Sequence, residues 1–373
     1  MASNGDTRLA FQECMSLAKL PPPPGEQGPV RRFMSRRAAY RPGGELPETP
    51  LPPGAGYGGH VYAQSALAVC RTLDDTEEKG KEKLGIHTIH GYFTLPGVFN
   101  RPFIYQVTPM STSRSFTTLS VTARQPLEPS ANPQGDHFPF VDALLPLSTP
   151  SFTAICSFKL PEEDSAGVNK QEHAPQKRYA DILSSRPTED WPPAPPLDVN
   201  GIISMVGADI VGDFPAVDGK KVDMLAFNEH KPVHERRELV LYRLLRPLPS
   251  DGSDGWDANA HLLVHAYSVD RNGVLMVANH IGFGWTLTRA ASLSYSFVVH
   301  TNPEEAIMHH QDEGKGGGGG GWWVQESSFP RAASGRGIIM TTIWSPEGVH
   351  VATMYQDGII RGQEDPELDK AKL

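Results

Sequence analysis

The sequence lacks any apolar run of the roughly 18 residues that a membrane-spanning helix requires. Cysteine is scarce: Cys14, Cys70 and Cys156 are the only three in 373 residues. They are too few and too far apart for a disulfide framework or a metal-ligand pattern. A reducing compartment suits that usage, and each thiol reads as a small buried hydrophobe. Basic charge is also short, with 34 lysines and arginines against 43 aspartates and glutamates, a net −9. That deficit argues against a nucleic-acid footprint and against a polybasic membrane surface. The stretch "MASNGDTRLAFQECMSLAKL" shows no charged segment leading into an apolar one, so a secretory signal is not expected.

Proline and glycine are plentiful, at 34 and 36 residues, and unevenly placed. "LPPPPGEQGP" and "PETPLPPGAG" oppose helix between residues 20 and 56. "GYGGHVYAQSALAVCRTLDD" then runs at helical spacing, without a breaker before Asp74-Asp75. Strand-like segments follow at 86–95, 102–109, 115–124 and 151–159, of which "SFTTLSVTARQ" is β-branched and alternating. Residues 126–150 and 160–199 are proline-rich and charged and read as loop and linker.

The second half repeats the plan. "VDMLAFNEHK" and "ERRELVLYRLLRP" read as strands, and "WDANAHLLVHAYSVDRNGVLM" (256–276) as one helix N-capped by Asp257. Further strands are expected at 291–300, 336–345 and 348–356. Gly316–Gly321 is no phosphate cradle, because Trp322-Trp323 follow where Lys-Ser/Thr would be needed; it reads as a flexible insertion. Each half thus offers a helix and several long antiparallel strands. Two such half-covered sheets would join edge to edge in an α+β arrangement. "IHTIHGYFTLPG" (86–97) and "ASLSYSFVVH" (291–300) would be equivalent strands of the two halves. In the later one, Ser292, Ser294 and Ser296 alternate with Leu293, Tyr295 and Phe297.

These stretches carry a resemblance when joined by "GGHVYAQSALAV" (58–69), "RPFIYQVTPMSTSRSFTTLSVTARQ" (101–125), "AICSFK" (154–159) and "GRGIIMTTIWSPEGVHVATMYQDGIIR" (335–361). "HAYSVD" (265–270) fits less clearly. Their succession, over about half the chain, resembles the acyl-CoA thioesterase II family, TesB-like proteins of double-hotdog fold. The Pro- and Gly-rich insertions resemble fungal members. The resemblance implies an N-terminal extension (1–30), an N-terminal hotdog (31–160) and a Pro-rich linker (161–200). A C-terminal hotdog (201–363), with a Gly-rich insertion at 311–321, and a tail (364–373) would follow. The implied reaction is hydrolysis of an acyl-CoA thioester to free acid and CoA. CoA enters as part of the substrate; no cofactor, metal, nucleic acid or membrane is implied, and a homo-oligomer is compatible. Ala371-Lys372-Leu373 is a close variant of the S-K-L address, so a peroxisomal location is expected, and a cytoplasmic one otherwise.

Thioester hydrolysis needs a polarised carbonyl and an oriented, activated water. Backbone N–H groups at a helix N-terminus supply donors for a developing oxyanion. Gly58, Gly59 and His60 open the first helix and, with Tyr295, are expected to contact substrate. Family members of this kind hold water with an Asp, a Ser or Thr, and a Gln. The resemblance puts the glutamine at Gln356 and the hydroxyl at Ser327 or Ser328. It puts the aspartate position on Ser294, within a motif that usually reads Ser-Leu-Asp-His; Tyr295 stands for the histidine. Serine and glutamine orient water but take no proton near neutral pH.

The absent acid leaves three readings. A replacement base is one, with His90 preferred over His60 and His300; Asp357, next to Gln356, would face the other side of its strand. A non-hydrolysing hotdog enzyme is the second, performing hydration, isomerisation or cyclisation of an unusual acyl or polyketide group in a biosynthetic pathway. Asp223, Asn228 and His230 lack the spacing of hotdog hydratases, however. A non-catalytic acyl-binding protein is the third.

Overall fold

Twelve antiparallel strands form one continuous sheet among the described residues of the computed structural model. Those residues are 7–22, 29–43, 54–75, 83–131, 133, 137–162, 168–199, 214–249, 256–283, 286–309 and 321–362. Gly316–Gly320 and the tail with Ala371-Lys372-Leu373 lie outside them. The first half contributes β1 (Leu17–Leu20), β2 (Arg31–Ser35), β3 (Gly85–Phe93), β4 (Ile104–Thr112), β5 (Phe116–Arg124) and β6 (Phe152–Lys159). The second contributes β7 (Val217–Lys221), β8 (Glu238–Leu244), β9 (Arg289–Val299), β10 (Trp323–Ala333), β11 (Arg336–Trp344) and β12 (His350–Arg361). Their spatial order is β1-β2-β4-β5-β6-β3-β9-β12-β11-β10-β8-β7. The two expected counterpart strands, β3 and β9, pair directly at the seam, with Ile89 opposite Phe297 and Gly91 opposite Tyr295. That pairing satisfies both open edges at once and makes one sheet of two.

Helix α1 (Gly58–Asp74) is buried along most of its length and lies on β4, β5 and β6. Its small residues, among them Ala63, Ala66 and Ala68, allow close approach, while Tyr62 and Leu67 fill the layer beneath. Two phenols that enter this core find partners: Tyr62 OH donates to the Ile89 carbonyl at 2.7 Å and Tyr105 OH to Gln64 Oε1 at 2.7 Å. Helix α2 (Ala258–Val269) packs against α1. Its cap is Asp257, as the sequence suggests, whose carboxylate accepts from Asn259 N at 2.9 Å. Helix α3 (Gly273–His280) packs on β9, β10, β11 and β12.

Three expectations need correction. "VDMLAFNEHK" is not a strand: Leu225–Asn228 is a helical turn, started by the Asp223 carboxylate accepting from Leu225 N at 2.9 Å. Residues 256–276 are two helices rather than one. β10 runs through polar sequence that showed no alternation; its Glu326, 6% exposed, is held by Arg178 Nη1 and by Tyr179 OH at 2.7 and 2.6 Å. Arg178 and Tyr179 come from the proline-rich stretch read as a linker, which thereby covers the sheet.

Candidate active site

The break between α2 and α3 creates the site. Asn272 sits at φ +66°, and Gly273 follows it. A left-handed residue ends a helix, and asparagine tolerates that conformation better than most. The Asn272 side chain fixes the turn: Oδ1 accepts from Asp198 N at 2.9 Å and Nδ2 donates to the Pro195 carbonyl at 2.8 Å. Asp270, released at the end of α2, thus reaches the first turn of α1.

Four side chains and one backbone amide meet there. Asp270 Oδ2 accepts from Gly59 N at 2.7 Å. Asp270 Oδ1 accepts from Gln356 Nε2 at 2.9 Å, from Ser292 Oγ at 3.3 Å and from the Tyr295 hydroxyl. Gln356 Nε2 is also 2.8 Å from Ser292 Oγ and 3.2 Å from the Tyr295 hydroxyl, and that hydroxyl is 2.6 Å from Ser292 Oγ. Ser292 and Tyr295 are three apart on β9, and a regular strand would point them to opposite faces. Leu293 is the extra residue of a bulge, since Asp357 pairs with Ser294 and Gly358 with Ser292; the bulge turns both side chains inward.

Burial raises the Asp270 pKa above the usual carboxylate range, and hydrogen bonds from Tyr295, Gly59, Ser292 and Gln356 oppose the rise. Burial, with the Asp270 charge beside it, holds the Tyr295 phenol far above its ordinary value, so it stays a neutral donor. His60, which makes a 3.5 Å contact with Tyr40 N, is lowered to about 4 by burial and is neutral near pH 7.

Glycine is required where the helices converge. A Cβ on Gly58 would stand 2.9 Å from Asp270 Oδ2 and 3.1 Å from the Tyr295 hydroxyl; one on Gly59 would stand 2.6 Å from the Tyr267 carbonyl. The Gly59 amide is taken by Asp270, whereas the Gly58 amide makes no hydrogen bond to the described residues.

Asp270, Ser292 and Gln356 line a cavity of about 290 Å³, together with Gly58 and an apolar wall including Phe93, Phe103, Phe152, Leu275 and Ile359. Arg271 and Arg289 also line it. Arg271 is buried over the Phe214 ring, 4.9 Å from its centroid, and burial lowers its pKa; Arg289 is exposed. Among the described residues no group of three or more His, Cys, Asp or Glu side chains could hold a metal ion, and no helix is long and apolar enough to cross a membrane.

The expected site residues separate into two groups. Gln356, Gly59 and Tyr295 bond to Asp270 and Gly58 adjoins it, whereas the His60 ring lies against Tyr40 and Tyr267; of the five, Gln356 and Gly58 line the cavity, and the Tyr295 hydroxyl lies against the lining residues Asp270, Ser292 and Gln356. Ser327 and Ser328 do not join them: they lie on β10, with Ser327 Oγ 2.8 Å from Thr341 Oγ1 and Ser328 Oγ 3.5 Å from the Met340 carbonyl. The hydroxyl beside Gln356 belongs to Ser292. Ser294 pairs with Asp357 and Tyr92 on the opposite face of the sheet. His90 is exposed on that same outer face, Nδ1 3.0 Å from Ser296 Oγ. An acid does stand beside Gln356, at Asp270 rather than at position 294. The signal that marked it was the Asn272-Gly273 pair, a helix-ending dipeptide inside a segment read as continuous.

Two helix-and-sheet halves joined through β3 and β9 define a double hotdog. The family model for the acyl-CoA thioesterase N-terminal domain matches residues 48–135, and that for the C-terminal domain matches residues 216–360. Together they take in more than half of the chain, which belongs to the acyl-CoA thioesterase family. The acyl-CoA thioesterase II TesB2 from Mycobacterium marinum is similar in fold: TM-score 0.58 and 20% identity, over 95% of this chain and 99% of that one. A hot dog fold protein of unknown function from Alicyclobacillus acidocaldarius follows at TM-score 0.57 and 14% identity, over 95% and 98%. The tesB protein of Mycobacterium avium subs paratuberculosis has TM-score 0.54 and 17% identity, over 93% and 97%. No curated protein matches the sequence.

Proposed function

We propose that the chain hydrolyses an acyl-CoA thioester, with Asp270, Ser292 and Gln356 as the water-holding trio. The observation that carries this reading is the convergence of a carboxylate, a hydroxyl and an amide on one wall of an apolar cavity, beside the amino end of α1. Family members hold their water with those same three chemical groups. The acyl chain occupies the apolar cavity. The thioester oxygen meets the Gly58 amide, where the helix end offers roughly half a positive charge. Asp270 accepts a proton as the water oxygen bonds to the carbonyl carbon. The oxyanion then collapses, the C–S bond breaks, and the proton passes to the departing thiolate, giving acid and CoA. Ser292 and Gln356 orient the water, and the raised pKa of Asp270 makes it a better base than an exposed carboxylate. Exposed Arg289 faces the phosphates of CoA at the cavity edge.

Thiol release from a panel of acyl-CoAs tests the reading. Wild-type protein should release thiol, and Asp270→Asn should lose about 10²–10⁴-fold in kcat, the usual worth of a general base. Saturable binding of acyl-CoA without release by the wild type would replace this reading with that of an acyl-binding or non-hydrolysing protein.

A further inference from the structure

The Tyr295 hydroxyl has a position that the hydrolytic reading leaves without a role. Its oxygen contacts Asp270 Oδ1, lies 2.6 Å from Ser292 Oγ and lies 3.2 Å from Gln356 Nε2. A phenol offers one donor and two acceptor sites, and here it meets one acceptor, one hydroxyl and one donor. A nucleophilic water would need those same three partners. The oxygen also stands 3.1 Å from where a Gly58 Cβ would be, next to the residue whose amide is proposed to receive the carbonyl.

Asp270 Oδ1 is fully engaged. Asp270 Oδ1 accepts from Gln356, Ser292 and Tyr295, and Oδ2 accepts from Gly59. The ring cannot easily swing away. Phe93 and Tyr62 pack edge-on against it, each with its centroid 5.2 Å away, and the side chain is 1% exposed.

We propose that Tyr295 is a built-in brake on hydrolysis, its hydroxyl occupying the place where the Asp270–Ser292–Gln356 trio would otherwise hold water. This rests on the hydrolytic reading, because only a water-using site can be slowed in this way. Turnover in the wild type waits for water to displace the phenol from the trio. The acyl-CoA bound in the cavity is unaffected by that competition, so the brake acts on kcat rather than on KM.

Tyr295→Phe removes one oxygen and keeps the ring in its aromatic surroundings. Thiol release by this variant should show kcat raised about tenfold or more, with KM changed less than about threefold. Its crystal structure should show an ordered water within hydrogen-bond distance of Asp270, Ser292 and Gln356. A kcat that is unchanged or lower, in a variant that melts within a few degrees of wild type, overturns the brake while leaving hydrolysis intact. A wild-type crystal structure with water bound to all three groups and the phenol still in place overturns it without any variant. If neither protein releases thiol, yet water fills the Tyr295→Phe site, the phenol is confirmed as the occupant of that place and the hydrolytic reading is the one that fails.

Discussion

The two halves differ most in their long helices. In the first half, α1 runs unbroken from Gly58 to Asp74 and is buried along most of its length. In the second, the corresponding stretch is cut at Asp270–Asn272 into α2 and α3. The uncut helix gives its first turn to the site as backbone amides; the cut helix gives the acid. Asp270 closes α2 at that interruption, and there it meets Gly59, Ser292 and Gln356. One half supplies a helix N-terminus, and the other supplies the side chains of Asp270, Ser292 and Gln356.

That contrast can be attacked at several points. The largest effect belongs to Asp270, whose replacement by Asn should remove about 10²–10⁴-fold of kcat while circular dichroism stays native. Next comes Gln356→Ala, which removes the amide touching Asp270, Ser292 and Tyr295; a loss of about 10–100-fold in kcat is expected from the same thiol-release assay. The break itself is tested by Asn272. Replacing Asn272 by Ala or by Gly removes the bonds to Asp198 and Pro195 in both cases, but only alanine must also endure the left-handed backbone. Asn272→Ala should therefore unfold more easily than Asn272→Gly by about 1–2 kcal/mol in urea titration, and should lose more activity. Ala68→Gly, within the uncut helix, should lower stability by a similar amount without changing kcat.

A smaller effect concerns pH. Asp270 must be ionised to accept a proton, and burial raises its pKa. Thiol release should therefore rise with pH, with its acidic inflection above the ordinary aspartate value of about 3.9, and Asp270→Asn should abolish that limb. The smallest effect is expected from exposed Arg289: Arg289→Glu should raise KM for acyl-CoA a few-fold, with less effect on kcat and less effect at high salt.

Much of the fold was legible because local signals agreed with global ones. The glycine-led, breaker-free run after residue 57 is α1, and the alternating segments near 86–97 and 291–300 are the seam strands. Gln356 was singled out by the resemblance, and it lies beside Asp270 on the cavity wall. The acid was not, because the apolar spacing of 256–276 continues across a turn that only Asn272-Gly273 betrays. Ser292 was hidden for another reason: strict alternation sets it opposite to Tyr295, and a bulge at Leu293 is invisible to a period-two reading. β10 was missed because Gln325, Glu326, Ser327 and Ser328 are satisfied by tertiary partners rather than by burying an apolar face.

The most direct test is a crystal structure with a non-hydrolysable thioether analogue of an acyl-CoA. The account predicts the acyl chain between Phe93, Phe103 and Phe152, with the group replacing the thioester carbonyl beside the Gly58 amide and within reach of Asp270. An analogue bound elsewhere, with the cavity beside Asp270 unfilled at saturation, would contradict it.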